Sequence, residues 1–138
     1  MAEESFPSAV WLSRLCAAIN RSSEFSRLGR GWTWRVAIVV LEDSGGSLGP
    51  VAGPVELVLE LNNGRCSSTS ISPAAGKENT PYRLIGTREA WREVLKQGGL
   101  DPALLIATEK IRVRGDLPRI HKFREAAALI LRLARSLG

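Results

Sequence analysis

The chain has 138 residues, 44% hydrophobic and 24% charged, which fits one globular domain (residues 1–138) able to bury a core without staples. Its longest apolar run, Val36 to Leu41, falls far short of the ~20 residues of a membrane span. The acidic start Met1-Ala2-Glu3-Glu4 lacks the basic and apolar regions of a signal peptide, so neither export nor membrane insertion is expected. The net charge is +5, but charged residues occur along the whole sequence with acids among the bases, as in Arg88-Glu89 and Glu109-Lys110, and make no separate case for a nucleic-acid partner.

The first element is a helix from Ser5 to about Asn20, capped by Ser8, with Val10, Trp11, Leu15, Ala18 and Ile19 at helical spacing. After Gly29 and Gly31, Trp32 to Leu41 is rich in aromatic and β-branched residues and predicts a strand; Trp32 and Trp34, two apart, share one of its faces. Residues 43–54, rich in Gly and Pro, form a loop. Val55 to Leu61 alternates, with Val55, Leu57, Leu59 and Leu61 on a dry face and Glu56, Val58 and Glu60 on a wet one. Asn62-Asn63-Gly64 turns the chain into a returning strand, Arg65 to Ile71, because Asn and Gly tolerate positive φ. A loop over 72–81 leads to a short strand, Tyr82 to Ile85.

Thr87 caps a helix from Arg88 to about Gln97 whose apolar stripe is Trp91, Val94 and Leu95, and Gly98-Gly99 stops it. Asp101-Pro102 starts a short helix carrying Leu104, Leu105 and Ile106. Thr108 to Arg114 alternates, with Ile111 and Val113 facing in. Asp116 and Pro118 then open one C-terminal helix with Ile120, Phe123, Ala127, Ile130, Leu131, Ala134 and Leu137 on its apolar face. This order is not the regular alternation of a doubly wound fold. It predicts an α+β architecture: a mostly antiparallel sheet with helices packed on one face.

Residues that carry chemistry are scarce. His121 stands alone, so no ordinary general base is evident, and no Cys or His pair has zinc spacing. The loop Gly45-Gly46-Ser47-Leu48-Gly49 lacks the lysine of a phosphate-binding loop. Cys16 and Cys66 are expected as separate thiols in a reducing, cytoplasmic setting. No cofactor or metal is called for, and the chain reads as a non-enzyme.

Three stretches together carry a resemblance. They are Tyr82-Arg-Leu-Ile-Gly-Thr-Arg-Glu-Ala-Trp91-Arg-Glu-Val-Leu95, then Leu100-Asp101-Pro102-Ala-Leu-Leu, then Lys110-Ile111-Arg-Val113-Arg-Gly115-Asp116. In content and order they resemble the second half of the sterol carrier protein two-like family, the sterol-binding domain. The first helix, the Trp34 strand and the Asn-Gly hairpin resemble its first half. The resemblance implies a five-stranded sheet with helices over one face and an apolar cavity between them. It implies a sterol, fatty acid or fatty acyl-CoA as ligand, held without catalysis for lipid transport. Leu57, Leu59, Trp91, Leu104, Ile111, Val113, Phe123 and Ala127 would then line or abut the cavity. The last helix, or the loops near Gly98-Gly99, would be the lid, and an anionic membrane surface a transient partner during loading. The ending Ser136-Leu137-Gly138 is not the family's peroxisomal tripeptide, so a peroxisomal transfer role is not expected. Three other readings stay open: a solid-core protein-interaction domain, a small lipid or CoA-thioester enzyme using Cys66 or His121, and a nucleic-acid binder.

Overall fold

The computed structural model describes residues 6, 8–33, 35–41, 55–73, 82–96 and 98–137. Trp34, Gln97 and the loops expected over 43–54 and most of 72–81 lie outside the described residues. In chain order the elements are α1 (Ala9–Arg21), α2 (Ser23–Leu28), β1 (Arg35–Leu41), β2 (Val55–Asn62), β3 (Arg65–Pro73) and β4 (Tyr82–Thr87). They continue with α3 (Arg88–Leu95), α4 (Pro102–Ala107), β5 (Arg112–Gly115), α5 (Leu117–Lys122) and α6 (Arg124–Ser136). The five strands form one sheet in the order β3-β2-β1-β4-β5. All its pairs are antiparallel except β1 with β4, which run parallel.

Register puts the dry residues on one face. Ile38 lies opposite Leu57 and Leu84, Val36 opposite Leu59 and Tyr82, and Leu84 opposite Val113. Except for half-buried Val113, these side chains are no more than 1% exposed, and α1, α3 and α6 complete the core above them. The alternation expected for Val55 to Leu61 is therefore met. On the opposite face Arg35 donates to Glu60 at 2.7 Å, an exposed pair directly across the β1–β2 ladder. Such a pair contributes little to stability.

Local signals set most element starts. The side chains of Ser8, Thr87, Asp101 and Asp116 each accept a backbone N–H in the first turn of their helix, as expected of caps. Helix α2 is an addition to the expected elements: it has six residues, buries only Phe25, and carries no apolar periodicity to detect. The C-terminal helix, expected as one, is two. At Phe123 (φ −107°, ψ 22°) the chain leaves helical geometry, and the Phe123 ring turns inward to stack on Trp32, with centroids 4.9 Å apart. That break leaves α5 with no buried residue while α6 buries seven.

The hairpin between β2 and β3 is built on Asn63 (φ 56°) and Gly64 (φ 86°). A Cβ on Gly64 would lie 2.7 Å from the Ser26 carbonyl oxygen, so the turn is pressed against α2 as well as left-handed. Gly64→Ala is expected to cost about 2 kcal/mol, since a left-handed Ala costs roughly 1–2 kcal/mol before the clash. The shift in urea midpoint measures it; a variant as stable as the parent would contradict the packing.

The cysteines differ from expectation. Cys16 and Cys66 form a disulfide across 50 residues, joining α1 to β3. Sequence separation says nothing about distance here: α1 packs along β3 and brings the two Cα atoms to 5.4 Å, within bridging range. The Asn20 side chain aligns the site, accepting from the Cys66 N–H (2.8 Å) and donating to its carbonyl (2.9 Å). Bridged in this way, Cys66 is no nucleophile.

Candidate functional site: a cavity at the β5 edge

A cavity of about 570 Å³ opens where α2, α4, α5 and α6 meet β4 and β5. Its apolar wall is Leu28, Tyr82, Ile106, Val113, Ile120 and Ala127. The void exists because small residues face it from two helices: Ala103 and Ala107 on α4, Ala127 and Ala128 on α6. Larger side chains there would fill the space, as Leu129, Ile130 and Leu131 do elsewhere on α6. The rim is polar, with Glu24, His121, Arg124, Glu125 and Arg132. Apolar walls with a few polar groups at one side, in a volume of a few hundred Å³, describe a small-molecule site.

Two arginines of α6 hold the surrounding helices. Arg132 pairs with Asp101, the cap of α4, at 3.2 Å. The backbone N–H of Ala103, and then Arg132, hold the Asp101 carboxyl below its usual range. Arg135 donates to the carbonyls of Val94 (2.6 Å), Glu93 (3.2 Å) and Gly99 (3.3 Å), and to that of Leu100. It thus satisfies the end of α3 and the turn after it, which helical bonding leaves open. Both contacts lie in the last two turns of α6 and hold α3 and α4 against it.

Tyr82 is the polar group placed deepest in the wall. Its ring packs on Trp32 at 4.9 Å, and its hydroxyl donates to the Ile120 carbonyl of α5 at 3.3 Å. Burial pushes its pKa up to about 12. It therefore stays neutral and offers no acid–base chemistry near pH 7. As the only tyrosine in the chain, it can be followed by tyrosinate absorbance alone. The raised value means that stability is fully present below the unfolded value of 10 and is lost as pH rises towards about 12. The denatured chain should titrate near pH 10 while the folded protein stays unionised beyond it; a folded midpoint at 10 would contradict the burial. His121, at the rim, is exposed, with Nε2 3.4 Å from the Arg124 guanidinium. Among the described residues no group of three His, Cys, Asp or Glu could hold a metal ion.

No protein-family model matches the chain, and no curated protein matches it in sequence. Solved structures do match in fold. A crystal structure of sterol carrier protein 2 superposes with a TM-score of 0.79 at 20% identity, covering 95% of this chain and 98% of that one. The solution structure of a conserved hypothetical protein from Thermus thermophilus, described as a candidate sterol carrier protein, gives 0.76 at 20% identity, covering 97% and 90%. Apo sterol carrier protein 2 from Yarrowia lipolytica gives 0.52 at 16% identity, covering 98% of both chains. The chain has the sterol carrier protein 2 fold.

On this sterol carrier protein fold the eight sequence-chosen residues fall into three places. Val113 and Ala127 line the cavity. Leu57, Leu59, Trp91, Ile111 and Phe123 are buried in the core cluster, at most 5% exposed, and do not border the cavity. Leu104 lies on the outer side of α4 and is 51% exposed; it is Ala103, Ile106 and Ala107 that border the cavity, while Leu105 packs into the core. Tyr82, Ile120, Arg124 and Arg132 also line this cavity and were not among the residues chosen from the sequence. The one sequence signal for the site is the run Ala126-Ala127-Ala128 inside an otherwise bulky apolar helix.

Proposed function

We propose that residues 1–138 form a sterol carrier protein-like domain that binds a lipid in the β5-edge cavity and carries it without chemical change. The observation that supports this most is the apolar void of about 570 Å³ walled by alanines in a fold shared with sterol carrier proteins. A ligand binds there by burial: each methylene taken from water contributes about 0.8 kcal/mol, so affinity grows with chain length. The ligand classes are a sterol, a fatty acid or a fatty acyl-CoA. Val113 and Ala127 would touch the ligand, with Leu57, Leu59, Trp91, Ile111 and Phe123 as the rigid layer behind them and Leu104 on the far side of α4. Neither cofactor nor nucleic acid is needed, and an anionic membrane surface serves during loading.

Native mass spectrometry of freshly purified protein is the first test, with a co-purified lipid expected. Titration with a fluorescent fatty acid should change tryptophan emission, because Trp32 packs on the cavity residue Tyr82. Ala127→Phe should fill the void and weaken that binding at least tenfold. If no lipid co-purifies and no acyl ligand binds at micromolar concentration, the solid-core protein-interaction reading takes its place. The proposed location is the cytoplasm; the Cys16–Cys66 bridge is the one observation against it, since disulfides persist in oxidising compartments. Trapping thiols in whole cells tests it: a pair already blocked as a disulfide points to an oxidising compartment.

A further inference from the structure

Residues 110–124 contain six Lys or Arg and one carboxylate, Asp116. Their formal charge of +5 equals that of the whole chain, so the remainder sums to zero. This segment runs from the turn before β5 through β5 and α5 to the first residue of α6, at one edge of the sheet. Lys110, Arg112, Arg114, Arg119, Lys122 and Arg124 are all exposed. Among them stands Leu117, 74% exposed, the most exposed large apolar side chain among the described residues. A leucine so exposed inside a cationic cluster adds nothing to the core. Helix α5 buries no residue outright, yet its Ile120 walls the cavity and its Ile120 carbonyl takes the Tyr82 hydroxyl.

We propose that β5 and α5 form a docking face for an anionic lipid bilayer, with Leu117 entering the headgroup layer and the surrounding cations meeting lipid phosphates and carboxylates. Its purpose rests on the carrier reading: docking sets the α5 wall of the cavity against the bilayer, so a lipid need not cross open water. Charge complementarity and an apolar anchor together select a bilayer. A single-stranded nucleic acid would instead call for exposed aromatic rings to stack bases, and here Phe123 and Tyr82 are buried. Each Lys or Arg near an anionic surface strengthens binding about fivefold, and the attraction falls with salt.

The test is co-sedimentation of the whole chain with phosphatidylcholine vesicles, with and without phosphatidylserine. Binding is expected only with phosphatidylserine and should weaken as salt rises. The triple variant R112Q/R114Q/K122Q should bind about a hundredfold less, and Leu117→Asn several-fold less. The control triple R21Q/R27Q/R30Q removes the same charge from the α1–α2 end and should change binding by no more than about threefold. All substituted positions are exposed, and unchanged thermal melts establish that the variants fold. Failure of the wild type to bind phosphatidylserine vesicles overturns the proposal, as does a control triple that loses as much as the β5–α5 triple, or Leu117→Asn without effect. Loss of oligonucleotide binding in the β5–α5 triple with vesicle binding intact would assign the face to nucleic acid. Fatty-acid titration of the same proteins separates the two readings: no fatty-acid binding with vesicle docking intact sinks the carrier function and leaves the docking face standing.

Discussion

Trp91→Ala should cost about 3–5 kcal/mol, the range for removing a large aromatic ring from a packed core. Trp91 is 0% exposed, packs against Phe6 at 5.9 Å, and donates its indole N–H to the Val39 carbonyl at 3.0 Å. That bond ties α3 to the central strand β1. Trp91→Phe keeps most of the buried ring but loses the donor, and should cost an intermediate amount, about 1–3 kcal/mol. Urea denaturation with an unchanged slope reads both values. An alanine variant losing less than about 1 kcal/mol would show that Trp91 borders open space rather than filling the core. This test therefore also decides whether Trp91 belongs to the ligand wall.

Reducing the Cys16–Cys66 bridge should remove about 4 kcal/mol, since it closes a loop of 50 residues in the unfolded chain. The urea midpoint with and without reductant measures it, and Cys66→Ser should match the reduced protein. A midpoint indifferent to reductant would contradict the bridge. Fatty-acid binding should survive reduction in whatever fraction stays folded. The bridge is at the β3 edge and the cavity at the β5 edge, with three strands between.

Much of the fold was legible because its signals are local. The caps Ser8, Thr87, Asp101 and Asp116 act within one turn of their helices. The Asn63-Gly64 turn needs only two residues with positive φ. The dry face of β2 shows as a period of two in Val55 to Leu61. The break at Phe123 was not legible, since the apolar stripe runs from Ile120 to Leu137 as if through one helix, and only the Trp32 ring draws Phe123 aside. The clustering of net charge in 110–124 was in the sequence, but its meaning as a surface depends on α5 burying nothing.

The sequence by itself determined an α+β chain, the dry face of β2, and, by resemblance, a sterol carrier fold. Only the tertiary structure decided which dry positions border a void. A core residue and a cavity wall both avoid water, so Leu57 and Val113 look alike in a periodic pattern. What separates them is volume summed across elements far apart in the chain: alanines of α4 and α6 meet at the β5 edge and leave space, while Trp91 and Leu57 meet neighbours that fill it. The pairing of Cys16 with Cys66 was decided in the same way, by the packing of α1 on β3.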